Sequence, residues 1–211
     1  MDFTFNEDQQ ALRDSVSRFL MVEAAPEKLR DIWQTDVGRS SGLRAKLAEQ
    51  GLTALSVPEA EGGLGMGDLD WALMSQELGY FGIPDSLADT ACLAAGLLAA
   101  LPETSAVRST WLPRIAAGGA RIALGHPVNP WVADARLADL LLLAHPTAQG
   151  TEWHALMPGQ VQVTACPSID ASRRLATVVW TPSDATRIAE AAAGQTLADD
   201  LLDRGALNVS G

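Results

Sequence analysis

The sequence predicts an α+β protein built in consecutive parts. An N-terminal all-α domain comes first, followed by a small β-barrel or β-sandwich domain, and a further C-terminal helical part is expected to be missing or truncated. Three observations predict this. Up to Gly118 the apolar residues recur at helical spacing. After Gly119 they come in short runs of strand length, separated by Pro, Gly, Asn and Asp. Helical spacing then returns near the C-terminus. The expected division is 1–118 helical, 119–183 β and 184–211 helical, the last opening a truncated domain.

Asn6 is placed to cap the first helix, with Gln9 completing a capping box, and Leu12, Val16, Phe19 and Leu20 fall on one face. Pro26 ends or redirects that helix. A second helix is predicted from Ser41 to Gln50, with Leu43 and Leu47 inward and Gly51 as a left-handed cap. Next comes a short extended segment closed by Pro58, then a glycine-rich turn. Asp68 is the expected cap of a third helix, which carries Trp71, Leu73, Met74 and Leu78 and stops at Gly79. Ser86 to Leu101 is apolar nearly all round and reads as a helix buried inside a bundle. Glu103 to Ala117 is the last helix before the Gly118-Gly119 break.

The predicted strands are Arg121–Leu124, Leu140–Ala144, Trp153–Met157, Val161–Ala165 and Ala176–Trp180. Helix is expected at Asp184–Ala193 and again from Thr196, where Leu197, Leu201, Leu202, Ala206 and Val209 keep a helical pattern up to Gly211. A pattern still running at the last residue predicts that the chain has been shortened.

Composition excludes several functions. Hydrophobic residues make up 47% of the 211, enough for a sizeable core and too many for a disordered chain. The net charge is −11, and no basic stripe is present, so nucleic acid is not an expected partner. The most apolar run, Ala91 to Leu101, is about half the length needed to span a bilayer, and the acidic N-terminus does not read as a signal peptide. Cys92 and Cys166 form neither a disulfide framework nor a metal site, which fits a reducing compartment. The expectation is a cytoplasmic protein away from membranes.

Four glycines fall within positions 62–67. The spacing matches neither a P-loop nor a dinucleotide fingerprint, so the stretch reads as a tight turn between helices rather than a phosphate cradle. As a string, Leu47-Ala48-Glu49-Gln50-Gly51-Leu52, Val57-Pro58-Glu59, Gly62-Gly63-Leu64-Gly65 and Glu77-Leu78-Gly79 resemble the acyl-CoA dehydrogenase family of flavoenzymes. That family carries "LAEQGL", "VPEEYGGLG" and "EELG" in its N-terminal domain. The opening Phe3-Thr4-Phe5-Asn6-Glu7-Asp8-Gln9 and the run Trp111-Leu112-Pro113-Arg114-Ile115-Ala116-Ala117-Gly118 are also similar to it. So is Ser168 to Ala176, which resembles a "D-x-T-R-R-L-A" turn of short, often heteromeric bacterial members.

The resemblance implies an oxidoreductase that uses FAD to dehydrogenate an acyl-CoA at Cα–Cβ, in fatty acid or sterol side-chain metabolism. It implies a homo- or hetero-oligomer with acyl-CoA dehydrogenase subunits. It also places Leu124, Gly125, His126 and Pro127 against the flavin, and the helix containing Asp85 to Leu101 beside the acyl pocket. The departures are as informative. The family's "TEP", "GSD" and "W-I-T" motifs are absent, and its catalytic carboxylate and flavin-pyrophosphate clamp lie in a domain of which only the first turns are present. No residue here inherits the catalytic role. A chain of this kind is either a dehydrogenase lacking its base domain or a non-catalytic structural subunit of a heteromeric enzyme.

Several side chains carry two readings. His126 either donates to a flavin or thioester oxygen or makes a structural hydrogen bond in its turn. Arg173 and Arg174 meet either a CoA phosphate or protein carboxylates. His145 and His154 stand apart in sequence without further ligands at metal-binding spacing, and Asp199, Asp200 and Asp203 read as a solvated helix face.

Overall fold

The computed structural model describes residues 4–210; Met1, Asp2, Phe3 (the first residue of the opening motif) and Gly211 lie outside them. Helix α1 (Glu7–Glu23) starts with the expected capping box: Asn6 Oδ1 accepts from Gln9 N at 2.8 Å, and Asn6 N donates to Gln9 Oε1 at 3.1 Å. Val16 and Leu20 are buried, with Leu12 and Phe19 packed beside them. Pro26 does more than redirect the chain. It is the first residue of a helix that the sequence reading missed, α2 (Pro26–Gln34), because a proline at this position loses no intrahelical hydrogen bond. Helix α3 (Ser41–Glu49) is capped by Ser40, and Gly51 takes the left-handed conformation at φ +79°.

The segment from Leu52 to Val57 was expected to be extended. It is instead a series of tight turns, with Ala54 N bonded to Gly51 O and Val57 N to Ala54 O. The reason lies in the glycine-rich loop that follows. Leu64, Gly65 and Met66 donate their backbone N–H groups back to Ala54, Val57 and Leu55. A Cβ on Gly63 would occupy the position of Val57 O, so only glycine allows this approach. The glycine cluster is therefore a turn folded on its own neighbours.

Helix α4 (Asp68–Tyr80) is capped at Gly67, one residue before the predicted position, with Asp70 Oδ2 accepting from Gly67 N at 3.0 Å. The predicted helix after Ser86 forms, but it is not uniform. Asp89–Ala94 is a π-helical segment leading into α5 (Ala95–Ala100). Thr90 Oγ1 both donates to Ile122 O and accepts from Ile122 N, which ties this segment to the first strand. Helix α6 (Ala106–Ala116), capped by Ser105, buries Trp111, Leu112 and Ile115.

Two sheets follow. One has strand order β1 (Ile122–Gly125), β3 (Leu140–Thr147), β4 (Gly150–Leu156) and β7 (Arg187–Ala189). The other has order β2 (Val132–Ala133), β6 (Leu175–Val179) and β5 (Gln162–Ala165). They form two separate layers and do not close into a barrel. Strand β3 shows why its sequence is four consecutive leucines. Leu140 and Leu142 enter the core shared with the helices, while Leu141 and Leu143 face the second sheet. A strand covered on both faces has no reason to alternate.

The helix predicted at Asp184–Ala193 forms only from Ala191 onward. Arg187–Ala189 pairs antiparallel with β4, and Arg187 reaches Asp184, Glu190 and Glu152. The open edge of β4 supplies backbone partners that override a weak local preference. Helix α7 (Ala191–Ser210) then starts five residues earlier than Thr196 and buries Gly194, Ala198 and Leu201 against the sheet. Among the described residues, no helix is long and apolar enough to cross a membrane.

Candidate functional site

The helical layer meets the second sheet through a chain of buried charges that the sequence reading did not foresee. Arg121, at the entry to β1, donates to Asp134 Oδ2 at 2.9 Å and to Asp85 Oδ2 at 3.0 Å. Arg39 binds the other side of Asp134, and Arg44 of α3 binds the other side of Asp85. Arg39 also donates to Ser172 O, and Arg44 to Ala120 O, both at 2.8 Å. Five ionised side chains thus join four separate stretches of chain. Asp134 is held at φ +54°, a left-handed conformation that aspartate tolerates better than most residues. Burial lowers the Arg44 pKa, with Asp85 acting in the opposite direction.

Beside this network lies a cavity of about 390 Å³. Its walls come from the end of α4, the segment Gly82–Asp89, the loop before β6, and Asn208 of α7. Leu78, Ile83, Leu87 and Leu175 supply its apolar side, and charged and polar side chains line the rest. Asp89 stands half-buried in the wall and makes no hydrogen bond or ion pair among the described residues. Desolvation, reinforced by Asp134 and Asp85, pushes its pKa up from 3.8 to about 6, against the pull of Arg173 and Arg39. A signal for Asp89 did exist: it is the only charged residue between Ser86 and Leu101.

That shift has a stability consequence. Between pH 3.8 and 6 the unfolded chain releases this proton while the native state keeps it, so the Asp89 contribution falls as pH rises and stays unfavourable above 6. Asp89→Asn is therefore expected to stabilise the protein at pH 7 by about 1–2 kcal/mol, allowing for partial solvent screening. Below pH 4 the gain should vanish. Urea unfolding of both proteins across this range checks it, and an Asn variant less stable at pH 7 would contradict it.

The expected flavin-side residues lie at the open end of β1. Leu124 and Gly125 complete the strand, and Pro127 is exposed. His126 spends both ring nitrogens on the protein: Nδ1 accepts from Val128 N at 3.3 Å, and Nε2 meets Ala198 O at 2.9 Å. Its side chain therefore has no donor left for a flavin. What remains beside this strand end is backbone and the exposed surfaces of Val128 and Trp131, the latter 50% exposed.

Of the arginine pair, Arg174 binds the carbonyls that end α2, donating to Trp33 O and Thr35 O at 3.0 Å. Arg173 is exposed and only 3.8 Å from Asp170, so it alone of the two is open to a phosphate. His145 and His154, far apart in sequence, come together across β3 and β4 at a ring-centroid distance of 6.3 Å, with Trp180 against both. Burial lowers the His154 pKa, opposed by Glu152. No group of three metal-binding side chains is found among the described residues. Asp199, Asp200 and Asp203 are exposed along α7. Asp85 is committed to two guanidiniums, and Glu59 lies exposed in a short turn.

Residues 6–119 match the family model described as the acyl-CoA dehydrogenase N-terminal domain. The chain belongs to the acyl-CoA dehydrogenase family. It is 33% identical over 173 residues to acyl-CoA dehydrogenase IpdE2 of Mycobacterium tuberculosis, an alignment covering 81% of this chain and 50% of that protein. The chain thus spans about half the length of the curated relatives it matches. Among solved structures, the ChsE4–ChsE5 complex from M. tuberculosis superposes with a TM-score of 0.81 over 99% of this chain and 63% of its own, at 21% identity. A glutaryl-CoA dehydrogenase from Mycobacterium smegmatis in complex with FADH2 gives 0.76 over 95% of this chain and 60% of its own, at 14% identity.

Proposed function

We propose that the chain is the helical and β part of an acyl-CoA dehydrogenase-like flavoprotein that holds an acyl-CoA for Cα–Cβ dehydrogenation. The observation that carries this reading is the cavity beside Asp89, with an apolar side formed by Leu78, Ile83, Leu87 and Leu175, in a chain of this family. Leu78, Ile83 and Leu87 would enclose the acyl group and exclude water, and Arg173 would meet a CoA phosphate at the surface. Leu124, Gly125, His126 and Pro127, with Trp131, would form one wall for FAD, mainly through backbone and apolar surface. FAD, when bound, supplies hydride acceptance from Cβ.

Proton removal from Cα needs a carboxylate that is free to act. Asp85 and Asp134 are held by arginines, and Glu59 faces solvent. Asp89 is free, but none of Leu124, Gly125, His126 and Pro127 lines its cavity, which sets it apart from the expected flavin wall. We assign the base to residues outside 1–211, in a helical part that α7 would open, or on a second subunit. That second subunit is the alternative reading, in which this chain serves as a structural partner in a heteromeric enzyme. It is favoured by the commitment of both His126 nitrogens to the protein, and one structure that the chain resembles is itself a two-component complex.

The expected result is that residues 1–211 alone purify colourless and do not turn over an acyl-CoA. General base catalysis is worth about 10²–10⁴-fold, and that group is missing here. The full-length protein, or this chain mixed with a catalytic partner, should be yellow and should bleach when acyl-CoA is added. Stoichiometric flavin and bleaching with residues 1–211 alone would overturn this division of roles.

A further inference from the structure

An ionisable side chain inside an apolar helix normally has a partner, because an unpaired buried charge is costly. Asp89 has none among the described residues, though charged groups surround it. Arg39 is occupied by Asp134 and by the carbonyls of Gly38 and Ser172. Arg173 pairs with Asp170, and Arg174 binds the end of α2. Asn208, opposite on α7, is held by Ser75, Cys92 and Arg204. Apart from Arg173, which is exposed with only a 3.8 Å approach to Asp170, every other polar wall group named here thus has a close protein partner, and the Asp89 carboxylate is left open to whatever occupies the cavity.

The charge of the cavity wall indicates what that occupant offers. Arg39, Arg173 and Arg174 balance Asp85, Asp89 and Asp170, three against three, so the wall as a whole does not select a cation. A purely apolar occupant would leave the carboxylate dry and unpaired. A neutral hydrogen-bond donor satisfies it without adding charge.

We propose that Asp89 is a specificity-determining residue, accepting a hydrogen bond from a neutral donor, a hydroxyl or an amide N–H, on the CoA thioester held in this cavity. The inference rests on the acyl-CoA reading above and deepens it. A CoA thioester carries such donors in two places: a hydroxyl on the acyl group, or the amides of the pantetheine arm.

The test measures binding of three kinds of probe to the full-length protein supplied with FAD. The probes are CoA itself, an unsubstituted acyl-CoA, and acyl-CoAs of the same length with one hydroxyl moved along the chain. Asp89→Leu and Asp89→Asn are compared with the unmodified protein. If the donor is on the acyl group, Asp89→Leu should weaken one hydroxyacyl-CoA by roughly tenfold to a hundredfold and leave the unsubstituted acyl-CoA unchanged or tighter. Asp89→Asn should fall between, since its amide oxygen still accepts. If the donor is a pantetheine amide, Asp89→Leu should weaken all probes alike, CoA included. Equal binding of every probe to all three proteins would overturn the proposal and leave the acyl-CoA reading standing. No binding of any probe to the unmodified protein would overturn both.

Discussion

Arg121→Ala is expected to destabilise the protein by about 3–5 kcal/mol, because it leaves two buried carboxylates without their shared partner. Asp85 and Asp134 have side chains only 3% and 0% exposed, so water cannot replace the guanidinium. Arg44 and Arg39 would each hold one carboxylate, but the link between them would be lost. Asp134→Asn separates charge from conformation, since asparagine also tolerates φ +54°; it should cost less than Arg121→Ala but remain clearly destabilising. Replacing Arg121, Asp85 and Asp134 together by apolar residues of similar volume should cost less than Arg121→Ala alone, as a buried network is often no more stable than good apolar packing. Urea unfolding at neutral pH measures all three. An Arg121→Ala loss under about 1 kcal/mol would mean that water enters this junction and that the network is not a dry one.

Gly194→Ala is expected to cost about 3 kcal/mol, a large effect for one methyl group. In α7 the Gly194 backbone lies directly on β4. A Cβ there would occupy the position of Thr151 O and come within 3.2 Å of Trp153 Cδ1. Neither neighbour can yield, since Thr151 O is strand backbone and Trp153 is fully buried. The helix must lift, which weakens the 3.0 Å hydrogen bond from Trp153 Nε1 to Gly194 O and loosens packing around it. Gly205 on the same helix is the control. A Cβ there meets nothing within 4 Å, so Gly205→Ala should stabilise by about 0.5–1 kcal/mol. If both substitutions have the same sign, α7 does not dock on β4 as described.

The local grammar of the chain was legible wherever a single side chain speaks for its own backbone. Asn6 and Gln9 specify the start of α1, Gly51 the end of α3, and the apolar spacing of Trp71 and Met74 the inner face of α4. The same held for the five principal strands, and for the resemblance carried by Leu47 to Gly67. The one-residue error at the start of α4, Asp68 for Gly67, arises because the carboxylate that accepts from the Gly67 N–H belongs to Asp70, three residues on.

Other features were decided by partners distant in sequence. Arg187–Ala189 became a strand because β4 presented an unpaired edge, and Leu52–Val57 became turns because the glycine loop folded back upon it. His126 lost its free nitrogen only when α7 brought Ala198 O to it. The site is the extreme case. Arg39, Arg44, Asp85, Arg121 and Asp134 are unremarkable one by one, and their charges acquire meaning only where the helices and the second sheet exclude water between them. The sequence by itself determined the helical and strand content, the two-part order and the family, because propensity, capping and periodicity act over a few residues. Tertiary structure alone decided the charge network, the cavity and the unpartnered Asp89, because burial and long-range pairing set the cost of each charge.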